Sequence, residues 1–413
     1  MTPIKSHRRT WQAGAIVSCL IICCASAYAQ VQHTPVPEQP SLAPQLEIDG
    51  SGIATLEGRF PEHNAPGGGK ISTGRINFSD SSLVIGASQR LYRGGGIGSL
   101  VLGVTTSDNS LNSSGTGLFL HQAYLDYATT PFEAVIGRTD VPTQLITFPT
   151  LRGDDLVEFT GLLNPFSSGG NVQEHRYSNQ VALTFNKNLR YFLNLHAQHL
   201  VDTAGSNGDQ TGINSYGATL SYEGAPVLAA MERVPQWGLG AEEQDIAGAN
   251  GGANTALFGG FVLNLKSDPI DRFDLRFQDT FTTGNSLRTF GSVEDTYRAA
   301  ANSAAMSLRY LHSPFGRPAY QVALTLGIRT YQNVPNSSTF AIALTGVKRL
   351  GEGFDLIAQY TYQHWASAGA AVYGGPDNNT IQLGFAYNFT DTFNQHIAPR
   401  RSLLSLQHQY IPE

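Results

Sequence analysis

Eleven histidines and 32 acidic residues are the raw material for metal or acid–base chemistry, yet few of them stand in a spacing that chemistry needs. His196 and His199 are three apart, so on an extended strand they face opposite sides and cannot share one ion. All three cysteines, Cys19, Cys23 and Cys24, fall in the first 24 residues, which leaves no thiolate site beyond them. Gly67–Gly69 and Gly94–Gly96 read as turns, not as phosphate-cradling loops. No Ser, His and Asp stand in a recognisable context, although triads assembled from different strands are invisible in one sequence. The reading is therefore no catalytic residue, no metal and no cofactor.

What remains is charge in patterned places. On strand-like segments the polar alternate positions carry Arg59, Arg75, Arg190, Arg272, Arg276, Arg309, Arg329 and Arg349, with the acids Glu47, Asp49, Glu57, Asp274 and Asp355. A separate acidic group, Asp154, Asp155 and Glu158 with Arg152, lies in a long connection over 140–175. That connection also holds Leu145, Ile146, Phe148, Leu151, Leu156, Val157, Phe159, Leu162, Leu163 and Phe166, more apolar surface than a solvated loop needs. If it folds into a barrel, Arg152, Asp154, Asp155 and Glu158 line an eyelet. Facing them, a wall with Arg190, Arg272, Asp274, Arg276, Arg309 and Arg329 sets up a transverse field favouring polar solutes. The bland alternatives are a loop that caps the outside or docks on a neighbouring subunit, and arginines that pair with nearby acids or reach the rims.

The elements that position these groups are strands. From Leu46 to Phe60 the even positions are Leu, Ile, Gly, Gly, Ala, Leu, Gly and Phe, while the odd ones are mostly polar. The same period of two recurs at 189–198, 216–222, 257–265, 272–281, 304–310, 320–329, 340–350, 354–362 and 381–389. Short connections alternate with longer Gly-, Asn- and Ser-rich ones, 235–252 among the latter, and aromatics such as Phe60, Tyr127, Phe132, Tyr222, Tyr310, Tyr320, Phe354 and Phe389 sit at segment ends. A soluble sandwich also alternates, but its strands are shorter and have no reason to end in aromatics. The expectation is an all-β, transmembrane antiparallel β-barrel of 16 or 18 strands, with short periplasmic turns and long outer loops. The segment at 402–411 is taken as the closing strand in preference to 379–389, although Gln382–Phe389 has the polar, glycine, aromatic signature of a closing strand.

The first residues fit export. Lys5, Arg8 and Arg9 precede an apolar run, Ala13–Cys24, and Ala27-Tyr28-Ala29 reads as a cleavage box, so 1–29 is expected to be a signal peptide. A Pro-rich linker follows over 30–45, then the barrel over 46–413. Three of the 26 basic residues and none of the acids lie in the signal, leaving 23 against 32, a balance of −9 that argues against nucleic acid.

The stretch QAYLDYATTPFEAVIGR (Gln122–Arg138), the long loop after Gly137-Arg138 with Pro142, and LLSLQHQY (Leu403–Tyr410) resemble porins of the phosphate-selective O/P type and their looser relatives. The resemblance covers two short patches of the chain. It implies a Gram-negative outer-membrane pore of 16 or 18 strands, commonly a homotrimer, passing small hydrophilic solutes or ions. It does not imply phosphate, because the chain has only five lysines. The surroundings of such a barrel are outer-membrane lipid and lipopolysaccharide, and its partner in biogenesis is the barrel-assembly machinery. The rival reading is an outer-membrane barrel without a channel: a surface enzyme, adhesin or structural protein.

Overall fold

The computed structural model describes residues 45–61, 73–77, 81–90, 96–108, 116–129, 131–140, 145–146, 148–150, 177–187, 191–199, 213, 215–222, 236–245, 253–267, 270–286, 299–314, 319–332, 338–351, 353–364 and 377–393. They form β1 (Gln45–Pro61), β2 (Thr73–Asn77), β3 (Ser82–Arg90), β4 (Ile97–Asp108), β5 (Thr116–Ala128), β6 (Phe132–Asp140), β7 (Tyr177–Lys187), β8 (Tyr191–His199) and β9 (Ser215–Tyr222). The series continues with β10 (Gln236–Asp245), β11 (Ala253–Ser267), β12 (Asp271–Ser286), β13 (Ala299–His312), β14 (Tyr320–Tyr331), β15 (Thr339–Gly351), β16 (Phe354–His364) and β17 (Asp377–Phe393).

Apart from β2 and β3, each strand pairs antiparallel with the next, and the sheet returns on itself where β17 meets β1. β2 and β3 share one place: β2 lies against Thr55–Arg59 of β1 and β3 against Gln45–Ser51. Between them the Ile53 amide donates to Ser81 Oγ at 3.0 Å, and the Ser51 and Ser82 hydroxyls meet at 2.9 Å. The ring is thus a closed 16-stranded antiparallel barrel. Closure leaves no backbone edge unpaired, which is what hydrocarbon demands of a sheet.

The closing strand is β17, paired with β1 from Leu46↔Phe393 to Pro61↔Asn378. This corrects the preference for 402–411, which lies outside the described residues. The Gln382–Phe389 signature was the better guide. Two glycines fit this junction closely. The Phe389 ring lies over Gly50, where an added Cβ would be 2.5 Å away, and a side chain at Gly384 would meet the Ala54 carbonyl and the Thr55 backbone.

A second correction concerns β10. Residues 235–252 read as one long loop, because Gly238, Gly240 and the acids Glu242 and Glu243 interrupt the apolar alternation. The structure instead makes Gln236–Asp245 a strand paired on both sides, against β9 and β11.

Both ends of the described ring, Gln45 and Phe393, lie at the end that carries the short turns after β3, β5, β7, β11, β13 and β15. The tightest turn, between β15 and β16, has Gly353 at φ 76°, a conformation that favours glycine. The opposite end carries the long connections after β6, β8, β12 and β16, and one long connection, 223–235 after β9, lies at the short-turn end.

The outward face is apolar. Leu56, Leu125, Ile136, Leu239, Leu257, Leu344, Leu383 and Phe385 are each about half exposed or more. At the short-turn end it is ringed by aromatics in mutual contact. Phe132 meets Phe185 at 5.6 Å, Tyr191 meets Tyr222 at 4.9 Å, Phe273 meets Tyr310 at 4.7 Å and Phe354 meets Tyr387 at 4.5 Å between ring centroids. At the other end Phe340 and Tyr362 pair at 5.7 Å. The inward face is largely polar, and Gln198, Gln278, Ser307, Thr325 and Asp355 on it have no exposed surface.

Candidate functional site

The inward face is stitched by rows of hydrogen bonds running across the strands. Because opposed residues in register share a face, Glu57, Gln382, Gln359 and Thr345 stand in one row over four strands. Gln382 Nε2 donates to Glu57 Oε2 at 3.0 Å, Gln359 Nε2 to Gln382 Oε1 at 3.1 Å, and Thr345 Oγ1 to Gln359 Oε1 at 2.8 Å. The two glutamine amides and the threonine hydroxyl of this row satisfy one another and the Glu57 carboxylate in the buried inner surface.

The basic wall sits on β12 and β13. Asp274 and Arg309 are opposed in register, with Arg309 Nε and Nη2 donating to Asp274 Oδ2 at 2.8 and 2.5 Å. Arg276, two residues along and on the same face, donates from Nε to Asp274 Oδ1 at 3.0 Å. The carboxylate is 1% exposed, whereas Arg276 and Arg309 keep 13% and 12% of their side-chain surface open. Arg272 is on that face too, two residues before Asp274. Three guanidiniums around one carboxylate leave an excess of positive charge on this stretch of wall. Arg349 pairs with Asp355 at 3.1 Å, and Arg329, nearly fully buried, donates from Nε to Ser303 Oγ at 2.5 Å.

Among the sequence-selected wall residues, the structure therefore brings Arg272, Asp274, Arg276 and Arg309 into one group and places Arg329 elsewhere, toward the long-connection end of β14. Pairing with acids holds for Arg276, Arg309 and Arg349. Arg190, Arg152, Asp154, Asp155 and Glu158 lie outside the described residues. Acidic groups on the inward face gather near the short-turn end on the other side of the ring: Glu47 and Asp49 on β1, Asp126 on β5 and Glu133 on β6. Asp126 and Glu133 were not singled out in the sequence, since only the β5–β6 register shows which way they face.

The start of the long connection after β6 is inside the ring. Leu145 and Ile146 lie against β10, β11 and β12, six places round the barrel from β6 at the last of these. The Ile146 amide donates to Gln278 Oε1 at 3.0 Å, and Gln278 is a mid-strand inward residue of β12. Leu145 and Ile146 occupy room that Gly238 and Gly260 leave by having no side chain. A Cβ on Gly238 would be 3.3 Å from Leu145, and one on Gly260 would be 2.8 Å from Ile146 Cγ1. Gly238 and Gly260 are opposed in register, and Gly260 is opposed to Gln278, so the three form a continuous inward row. Ile146, Phe148 and Thr150 are buried at 7%, 2% and 7% exposure. The sequence signalled this segment by its apolar content, but nothing in it pointed to Gly238, Gly260 and Gln278 as the receiving surface.

His196 and His199 do face opposite sides: His196 is in register with Gly217 on the inward face, and His199 ends β8 on the outward one.

No family model matches the chain, and no curated protein matches it. Solved structures share its fold. An anion-selective porin from Comamonas acidovorans superposes with a TM-score of 0.60 at 15% identity, covering 84% of this chain and 100% of that one. The outer membrane channel DcaP of Acinetobacter baumannii gives 0.59 at 12% identity, covering 83% and 97%. The trimer form of OmpT, an outer membrane protein of Vibrio cholerae, gives 0.54 at 9% identity, covering 84% and 100%. At such identities the likeness is one of fold.

Proposed function

We propose that this chain is an outer-membrane porin through which small hydrophilic solutes and ions diffuse passively. The observation that carries the reading is the anchoring of Leu145 and Ile146 on the inward row Gly238–Gly260–Gln278. A barrel that merely displayed loops would have no use for a connection drawn into its own lumen, whereas a diffusion pore needs a constriction part-way along. In this reading 140–175 is the constriction segment, and Arg152, Asp154, Asp155 and Glu158 on it border the opening. The exposed apolar outward face and its aromatic rings support a setting in lipid, with lipopolysaccharide at the long-loop end. An export signal over 1–29, a linker over 30–45, delivery by the barrel-assembly machinery and assembly as a homotrimer belong to the same proposal. The fold shared with solved porins supports it; phosphate selectivity has no support and is not part of it.

Planar-bilayer recording of the refolded protein tests the reading. Stable current steps with ohmic behaviour are expected. Silence from protein whose gel mobility still changes on heating, as a closed barrel's does, would overturn the pore and favour a surface enzyme, adhesin or structural barrel.

The charge layout supports a transverse field, positive at β12–β13 and negative at β1 and β5–β6. Arg272 is a good probe of it, because the Asp274 carboxylate is already engaged by direct contacts from Arg276 and Arg309. Arg272→Gln is expected to move the permeability ratio toward cations, by roughly 1.5- to 2-fold. The reversal potential under a KCl gradient reads this directly, and an unmoved potential would remove β12 from the selectivity path.

A further inference from the structure

We infer that His196 and Glu242 hold a borderline-soft divalent cation of the zinc class between them, in the inward wall of β8–β10. The site stands independently of whether the barrel conducts.

The three strands place the ligands. His196 on β8 is in register with Gly217 on β9, and Gly217 with Glu242 on β10, so all three share one inward row. The His196 ring lies over Gly217, in space that any larger residue would fill, and so reaches across the intervening strand toward Glu242. Both side chains are fully buried, and His196 Nε2 and Glu242 Oε2 stand 3.8 Å apart.

Each group is oriented from behind. Asn194 Nδ2 donates to Thr184 Oγ1 at 2.9 Å, which leaves Asn194 Oδ1 to accept from His196 Nδ1, also at 2.9 Å. With the ring proton on Nδ1, Nε2 offers a lone pair. On the other side, Glu242 Oε1 accepts from both Gln198 Nε2 and Ser215 Oγ, and Gln198 is itself fixed by Ser178 Oγ donating to its Oε1 at 2.6 Å. That turns the other oxygen, Oε2, toward the imidazole. Among the described residues neither Nε2 nor Oε2 has a hydrogen-bond partner.

Two buried lone-pair atoms thus face each other with no donor between them. A separation of 3.8 Å is too long for a hydrogen bond. It suits a shared ion about 2.0–2.1 Å from each. Support behind both ligands is the arrangement that metal sites use to fix tautomer and aim. An imidazole nitrogen with a single carboxylate selects zinc-class ions over calcium or magnesium. Among the described residues no third His, Cys, Asp or Glu joins the pair, so these two side chains are the ligands the wall supplies.

The test uses the full-length folded protein in detergent, stripped with EDTA and equilibrated by dialysis against ZnCl2, with MgCl2 as the comparison. One zinc per barrel is expected, together with a rise in the temperature at which the heat-dependent gel shift occurs. Magnesium should give neither. Glu242→Gln and His196→Gln should each weaken binding at least tenfold, and Asn194→Ala, which frees the ring behind the ligand, about tenfold. His199→Gln, on the opposite face, should leave binding unchanged. If a ligand variant fails to fold, Asn194→Ala decides. No zinc on the folded wild type, or zinc held equally by the Glu242, His196 and Asn194 variants, would overturn the assignment.

Discussion

Deleting Thr150–Gly161 is expected to raise single-channel conductance by roughly twofold or more, because conductance follows the narrowest cross-section of a water-filled path. The expectation rests on where the segment begins. Ile146 is hydrogen-bonded to Gln278 at 3.0 Å on a wall well round the ring from β6, so the chain that follows Thr150 starts from inside the barrel. A second variant reaches the same end without shortening the chain. Gly238→Leu puts a side chain where Leu145 now packs, and Gln278→Leu removes the acceptor that holds the Ile146 amide. Together they are expected to release the segment and give larger, noisier steps. Gly260 is a poorer choice, because a Cβ there would also come within 2.6 Å of the Phe277 carbonyl and disturb the sheet itself. Unchanged conductance in both variants, with the heat-dependent gel shift intact, would show that the segment does not set the aperture.

Leu324→Arg is expected to cost about 2–4 kcal/mol in the free energy of folding into a bilayer, the range for a basic residue near the midplane on the lipid side of a barrel. Leu324 is 43% exposed on the outward face of β14, opposed in register by Leu308 and Leu344, which are 45% and 49% exposed. It stands four residues beyond Tyr320, in the aromatic ring at the short-turn end, which places it well inside the apolar band. Leu324→Phe, which keeps the surface apolar, is expected to stay within about 1 kcal/mol. Denaturant titration in phospholipid vesicles measures both. If the arginine variant were as stable as the wild type, the outward leucines would not be in hydrocarbon, and the membrane setting would fall with them.

Much of the fold was legible because a barrel wall obeys one simple rule, apolar out and polar in, on nearly every strand. The rule failed at β10. Its inward face at 238 and 240 is glycine because Leu145 packs there and the Phe258 ring crosses there, and a strand whose side chains have been removed to make room looks like a loop. The sequence showed the arginines of β12 and β13 but not their grouping, since Arg309 meets Asp274 only through the register between two strands. The same limit hid His196 and Glu242, which lie far apart in the chain and meet only because β9 contributes a glycine between them. The closing strand was misjudged for another reason: two alternating segments near the end of the chain competed, and only pairing with β1 separates them.

That junction also bears on how the ring is completed. One edge of β1 is matched by chain that follows it closely, β2 and β3, whereas the other waits for β17, the last strand of the circle. A shift of one residue there would turn the apolar face of β17, with Ile381, Leu383 and Phe385, inward. A shift of two preserves the faces but brings Gln382 or Ala386 to the spot where Gly384 alone clears the Ala54 carbonyl. The β1–β17 seam therefore selects its own register: a shifted alignment must push strand backbones apart at Ala54, and a parted seam exposes unpaired backbone that hydrocarbon rejects.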